Sequence, residues 1–200
     1  MIILLGGRFA SGKTSAAKFF IDNPQKFGDF KEVNFADKLK EVATDLFGMK
    51  KKDRSLLQKL GTEAMRSIDP DVWAKYIFDR TIPMWEEQFD INPAANGWIT
   101  KHSEFLNFVV GDARYENELM YGTKAGSINV FVDVKEEIRM ERYKAIYGQY
   151  PTEEQMNHPS ETIDPSKFDL TIENNDTIFE FHETLEKLYN DILCQKIKKN

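Results

Sequence analysis

A single cysteine, Cys194, stands among the 200 residues, so neither an internal disulfide nor a cysteine metal cluster can form. Histidine is nearly as scarce. His102, His158 and His182 lie far apart in loop-like and helical contexts, a poor basis for a zinc site. No apolar stretch approaches the roughly 18 residues that a membrane span requires. The apolar run Ile2-Ile3-Leu4-Leu5 is also too short for the core of a secretory leader. A cytosolic protein with no membrane partner is therefore expected. Positive charge is in the minority: 27 Lys and Arg stand against 33 Asp and Glu. A formal net charge of −6 opposes a surface built to hold a long nucleic acid by counterion release. A small anionic ligand is still allowed, because a few local arginines suffice for one. The basic tail Lys196 to Lys199 reads as a solvated helix end.

What is present is the composition of an ordinary soluble globular protein, 41% hydrophobic and 30% charged. The length suits one sizeable core rather than two independent domains, so one domain with a mobile insert is the default.

The most informative segment is Gly7-Arg8-Phe9-Ala10-Ser11-Gly12-Lys13-Thr14, which matches GxxxxGK[ST] and follows directly on the aliphatic run at Ile2. A strand that ends in a glycine-rich turn and hands over to a helix aims backbone N–H groups and a positive helix end at one point, where phosphates bind. Gly7, Ala10, Ser11, Gly12, Lys13, Thr14 and Ser15 are the candidate nucleotide-binding residues. The Lys13 ammonium reaches β and γ phosphates in such loops, and the Thr14 hydroxyl coordinates Mg²⁺. The context fits: Ser15 to Phe20 is helix-compatible until Asn23-Pro24 stops it.

Short aliphatic strands, expected at about 1–6, 30–35, 105–111, 128–134 and 168–173, alternate with longer helical stretches. Helices are expected at about 13–22, 36–48, 53–67, 71–90, 135–147 and 177–197. This rhythm predicts an α/β fold, a parallel sheet covered by helices on both faces. In the last helix Ile178, Phe181, Leu185, Leu188, Ile192 and Leu193 recur at three- and four-residue steps and form one apolar face. Two stretches break the rhythm. Residues 81–104 read as a long connection before the central strand, and the proline-containing 148–167 as part of a lid.

A phosphate loop alone does not separate a kinase from a GTPase or a mechanical ATPase. A second signal is Val109-Val110-Gly111-Asp112-Ala113-Arg114, followed by Glu118, where a buried strand ends in an acid and an arginine at the edge where ligands bind. Asp112 stands where an acid holds Mg²⁺ or its water shell, and Arg114 suits bidentate grip of a phosphate. An Asp–Arg ion pair in a plain turn is the alternative. Gln58, Thr62 and Arg66 repeat every four residues and share a helix face, with Leu57, Leu60 and Ala64 free to face inward. That face suits either a base and its phosphate or simply water. Asp37 and Lys38 open a helix at the same sheet edge, where Asp37 serves equally as an N-cap. Arg139 and Arg142 sit three residues apart on one helix face, placed to close over a transferring phosphoryl group or to pair with Glu136, Glu137 or Glu141.

Taken together, Gly7 to Thr14, Phe35-Ala36-Asp37-Lys38-Leu39-Lys40, Leu57 to Trp73, Gly111-Asp112-Ala113-Arg114 with Glu118, and His158-Pro159-Ser160-Glu161 resemble the deoxynucleoside monophosphate kinases of large DNA bacteriophages and related viruses. Asp169 to Asn175 resembles the final strand and asparagine turn that lie beside the ATP adenine in many nucleotide kinases. The resemblance implies a single P-loop kinase domain over residues 1–200, three-layered with a five-stranded parallel sheet. Its monophosphate-binding region would span about 36–104 and its lid about 138–167. It implies transfer of the ATP γ-phosphoryl group to the 5′-phosphate of a deoxynucleoside monophosphate in the cytoplasm, the host's if the chain is viral, with ATP and Mg²⁺ as cofactors. By the same resemblance, Lys13, Asp112, Arg114, Arg139 and Arg142 are the catalytic candidates, with Thr14 and Asp112 toward the metal. Asp37, Lys38, Gln58, Thr62, Arg66, Trp73, Arg114 and Glu118 would surround the acceptor, and Asn174 and Asn175 the ATP. Two other readings stand beside it: another small-molecule kinase of the same fold, or a nucleotide-hydrolysing switch. The base, deoxy selectivity and oligomeric state are left open by the sequence, and a homodimer is compatible with it.

Overall fold

The aliphatic segments pair into one five-stranded sheet. In the computed structural model, which describes residues 1–51, 53–91 and 106–199, β1 (Ile2–Gly6), β2 (Phe30–Val33), β3 (Asn107–Ala113), β4 (Ile128–Asp133) and β5 (Leu170–Glu173) stand in the order β2-β3-β1-β4-β5. All four pairings are parallel, and Ile3 at the centre faces Val109 on one side and Ile128 on the other. Every residue of β1 is buried, as the middle strand of a doubly covered sheet must be.

Alternate residues of β1 serve opposite layers. Ile3 and Leu5 join the layer formed by α1 (Lys13–Asp22) and the C-terminal helix, where Phe20, Phe181, Leu185 and Ile192 are buried. Ile2 and Leu4 join the other layer with Phe108, Val110, Phe131, Trp73 and Ile77. The helices on that side are α2 (Phe35–Phe47), α3 (Ile82–Ile91) and α4 (Glu116–Lys124). α5 (Glu136–Tyr147) follows β4, and α6 (Ile178–Lys199) closes the fold.

The predicted helix at 53–67 is present over Arg54–Gln58, Lys59–Met65 and Arg66–Ile68, but its middle seven residues are π-helical. A π turn is wider than an α turn, which shifts the phase of the inward face. Leu57, Gly61 and Met65 therefore point inward, and Ala64, expected there, is exposed. A second π segment, Tyr76–Thr81, interrupts the predicted 71–90 helix between Val72–Lys75 and α3. Helix α4 was not expected; its interior Gly122 and low apolar content mask the helical period. Ile178, assigned to the apolar face of the last helix, is instead exposed. Residues 92–104 of the expected long connection, and Phe105 of the expected third strand, lie outside the described residues. No helix among the described residues is long and apolar enough to cross a membrane.

Candidate active site

The loop between β1 and α1 follows from its glycines. Gly7 (φ +139°) and Gly12 (φ +101°) both lie where L side chains are rarely found, and Ala10 is left-handed at φ 53°. A Cβ on Gly7 would stand 2.6 Å from the Val132 carbonyl oxygen, so the loop lies directly against β4. Asn174, from the turn after β5, donates to Ser11 O at 2.8 Å and holds the loop from the other side.

Lys13 is buried and folded back over this loop. Its ammonium donates to Gly7 O and Arg8 O at 2.6 Å each and to Ser11 Oγ at 3.2 Å. Burial brings its pKa down to about 7; the nearby Arg114 adds to the effect, and Glu161 and Asp112 oppose it.

An open cavity of about 1040 Å³ lies in front of the loop, lined by loop residues Ala10 to Ser15, by Asp37, Gly111, Asp112 and Arg114, and by Arg142, Asn174 and Ile178. A smaller chamber of about 140 Å³ adjoins it, sharing Ala36, Leu39, Leu57, Asp112 and Arg114, and extends to Thr62, Arg66, Trp73 and Glu118. Both open at the carboxyl ends of the strands, around the crevice where β3 and β4 diverge from β1.

Buried carboxylates hold the two arginines of the smaller chamber. Arg66 donates to Glu118 Oε1 at 2.5 Å and lies over the Tyr115 ring, 4.1 Å from its centre. Glu118 is 1% exposed and also accepts the Arg114 and Tyr115 amides at 2.7 and 3.1 Å. Burial pushes its pKa up to about 7 against the pull of Arg66. Arg114 pairs with Glu161 and donates to Ser160 Oγ at 3.2 Å. Trp73 is buried, and its indole N–H donates to Gly61 O at 3.2 Å, within the first π segment.

Asp112 does not pair with Arg114. Its two oxygens accept the N–H groups of Phe35 and Ala36 at 2.9 and 3.0 Å, so it caps α2 from the neighbouring strand. Asp37 is consequently not the cap; it is exposed, binds Lys40 at 2.9 Å and lines the large cavity. Thr14 and Asp112 line the same cavity, and a hydroxyl and a carboxylate suit Mg²⁺, which keeps most of its water.

Five expected residues line neither cavity, Gly7 at the base of the loop among them. Lys38 pairs with Glu41 at 2.7 Å, and Asn175 accepts the Lys135 amide at 2.8 Å. Gln58 is exposed and meets His158 Nε2 at 3.1 Å. Arg139 is 4% exposed, stacked over the Phe9 ring, and its Nε has no hydrogen-bond partner among the described residues. Arg142 diverges from it, donating to Asn174 O at 2.9 Å and Asp176 O at 3.3 Å. Neither arginine pairs with Glu136, Glu137 or Glu141 among the described residues.

Glu161 was visible in sequence only as part of a motif without a role. It is 6% exposed and bridges the site: Oε2 accepts the Phe9 amide at 2.6 Å while Oε1 takes Arg114.

Solved kinases superpose over nearly the whole chain. A gluconokinase from Sinorhizobium meliloti superposes with a TM-score of 0.56 at 14% identity, over 96% of this chain and 95% of that one. The fold is that of the P-loop kinases. A shikimate kinase from Acinetobacter baumannii, in complex with shikimate, gives a TM-score of 0.54 at 13% identity, covering 100% of this chain and 94% of its own. Another shikimate kinase, from Aquifex aeolicus, gives 0.52 at 16% identity over 98% and 99% of the two chains. No family model matches the chain, and no curated protein matches it in sequence. At these identities the likeness is one of architecture.

Proposed function

We propose that the protein is an ATP-dependent phosphotransferase that phosphorylates the 5′-phosphate of a deoxynucleoside monophosphate. The observation that carries this reading is the small chamber beside the phosphate loop, where Arg66 and Arg114 flank an aromatic wall containing Trp73. Two guanidinium groups beyond those a donor needs suit an acceptor that is itself anionic. Each is held by a buried carboxylate, which fixes its direction before the acceptor arrives.

In this reading Lys13 and the loop amides bind the ATP phosphates, and Arg142, Asn174 and Ile178 line the side of the large cavity that takes the nucleoside. Thr14 and Asp112 would hold Mg²⁺, which when bound supplies charge neutralisation on the β and γ oxygens. A phosphate monoester is already largely dianionic at neutral pH, with a second pKa of about 6, so no strong general base is required. Positioning and charge stabilisation by Lys13, Arg66 and Arg114 carry the rate. The segment 148–167 acts as the lid, with Ile163 docked into the core and Glu161 on the loop.

The fold neighbours favour a second reading, a kinase of another small molecule. A coupled assay of ADP release decides between them, run over dGMP, dTMP, dCMP, dAMP, their ribo forms, shikimate and gluconate. Turnover restricted to the monophosphates supports the first reading. Turnover on a non-nucleotide acceptor supports the second, and hydrolysis indifferent to acceptor overturns both.

A further inference from the structure

Phe9, in the middle of the phosphate loop, is held from three directions. Glu161 takes its amide at 2.6 Å, Tyr143 meets its ring edge-on with centroids 5.0 Å apart, and Arg139 covers the ring at 4.3 Å. The first of these holds reaches the acceptor side, because the same carboxylate binds Arg114. The chain of contacts continues outward. Arg114 touches Ser160 Oγ at 3.2 Å, His158 Nδ1 meets that hydroxyl at 2.8 Å, and His158 Nε2 meets Gln58 at 3.1 Å. One contiguous set of polar contacts therefore runs from the acceptor-side helix to the donor loop.

We propose that Glu161 is a positioning residue that couples occupancy of the acceptor site to the phosphate loop. This rests on the reading of Arg114 as the acceptor-phosphate ligand. An incoming phosphate competes with Glu161 for the Arg114 guanidinium. A buried carboxylate relieved of its partner must find another, since leaving it unpaired is costly. Two cations besides Arg114 feel its charge, Lys13 and Arg139. Arg139 is buried with an Nε unpartnered among the described residues, so a partner is waiting over the Phe9 ring. A turn of Glu161 toward Arg139 moves the Phe9 amide and so the loop. The loop set by an occupied acceptor site is the one the donor meets: acceptor binding strengthens ATP binding, and by linkage ATP strengthens acceptor binding.

The test is isothermal calorimetry of a non-hydrolysable ATP analogue, with and without a saturating monophosphate chosen from dGMP, dTMP, dCMP and dAMP by its own binding. In the wild-type chain the acceptor should tighten the analogue by about fivefold or more. Glu161→Gln retains an oxygen for the Phe9 amide but offers no charge to Arg114, so the ratio should fall to within about twofold of unity. The acceptor alone should bind that variant at least as tightly as wild type, which a general loss of structure would not produce. Glu161→Asp, whose shorter reach keeps the charge but serves only one partner, gives the same reading if the Gln variant fails to fold. Its ratio should also fall. If none of the four monophosphates binds, the nucleotide reading fails and the coupling falls with it. If one binds without tightening the analogue, or the Gln variant keeps the wild-type ratio, the coupling alone is overturned.

Discussion

Asp112 at the end of β3 accepts the backbone N–H of Phe35 at 2.9 Å, which places the strand-end acid on the first turn of α2, the helix that follows the neighbouring strand. The Ala36 amide adds a second bond at 3.0 Å. One carboxylate thus fixes the start of α2 and faces the cavity at once. Burial raises its pKa while the two amides lower it. Asp112→Ala removes both caps and should cost about 1–2 kcal/mol of stability in urea denaturation, besides its effect on turnover. An unchanged denaturation midpoint would show the cap to be energetically idle.

Lys13→Ala should lower phosphotransfer by roughly 10³ or more while the circular dichroism spectrum is preserved. The ammonium is held at a pKa of about 7, well below its usual 10.5. The folded chain without nucleotide thus binds fewer protons than the unfolded chain between those values. The burial penalty is complete below pH 7 and fades as pH rises toward 10.5. ATP phosphates restore the charge. Binding measured by calorimetry at about pH 8 in buffers of different ionisation heat should show uptake approaching one proton. The Lys13→Ala chain should show none.

Arg66→Ala leaves Glu118 buried without its cation, although the two backbone amides remain. Loss of about 3 kcal/mol of stability is expected. The KM for the acceptor should rise far more than the KM for ATP. Equal changes in the two constants would place Arg66 outside the acceptor site.

Gly7→Ala sets a Cβ against the Val132 carbonyl at 2.6 Å and forces a φ that alanine avoids. Nucleotide binding should be abolished. Gly48→Ala is the matched control: it has positive φ at +67° with nothing near the added carbon, so it should cost about 1 kcal/mol and leave binding intact.

How much of this was legible depends on distance along the chain. The phosphate loop was, because eight consecutive residues between a strand and a helix carry the whole signal. The five strands were as well, β1, β3 and β4 as largely apolar runs and β2 and β5 as short segments mixing apolar and polar residues. The π segments were not. Their apolar residues satisfy an α-helical period about as well, and the shift shows only in Ala64 facing out where Gly61 faces in. Glu161 escaped for another reason: its partners Phe9 and Arg114 stand 152 and 47 positions away. The pairing of Arg139 with Arg142 failed because one side chain turns beneath Phe9 and the other toward Asn174.

The bond from Asn174 to Ser11 joins residues 163 positions apart. During synthesis the loop emerges well before the side chain that braces it, which is made only after β5. A nascent chain thus carries the complete motif long before it has a braced loop. Bracing of the loop is thereby a late event in the life of the polypeptide, timed by the translation of β5.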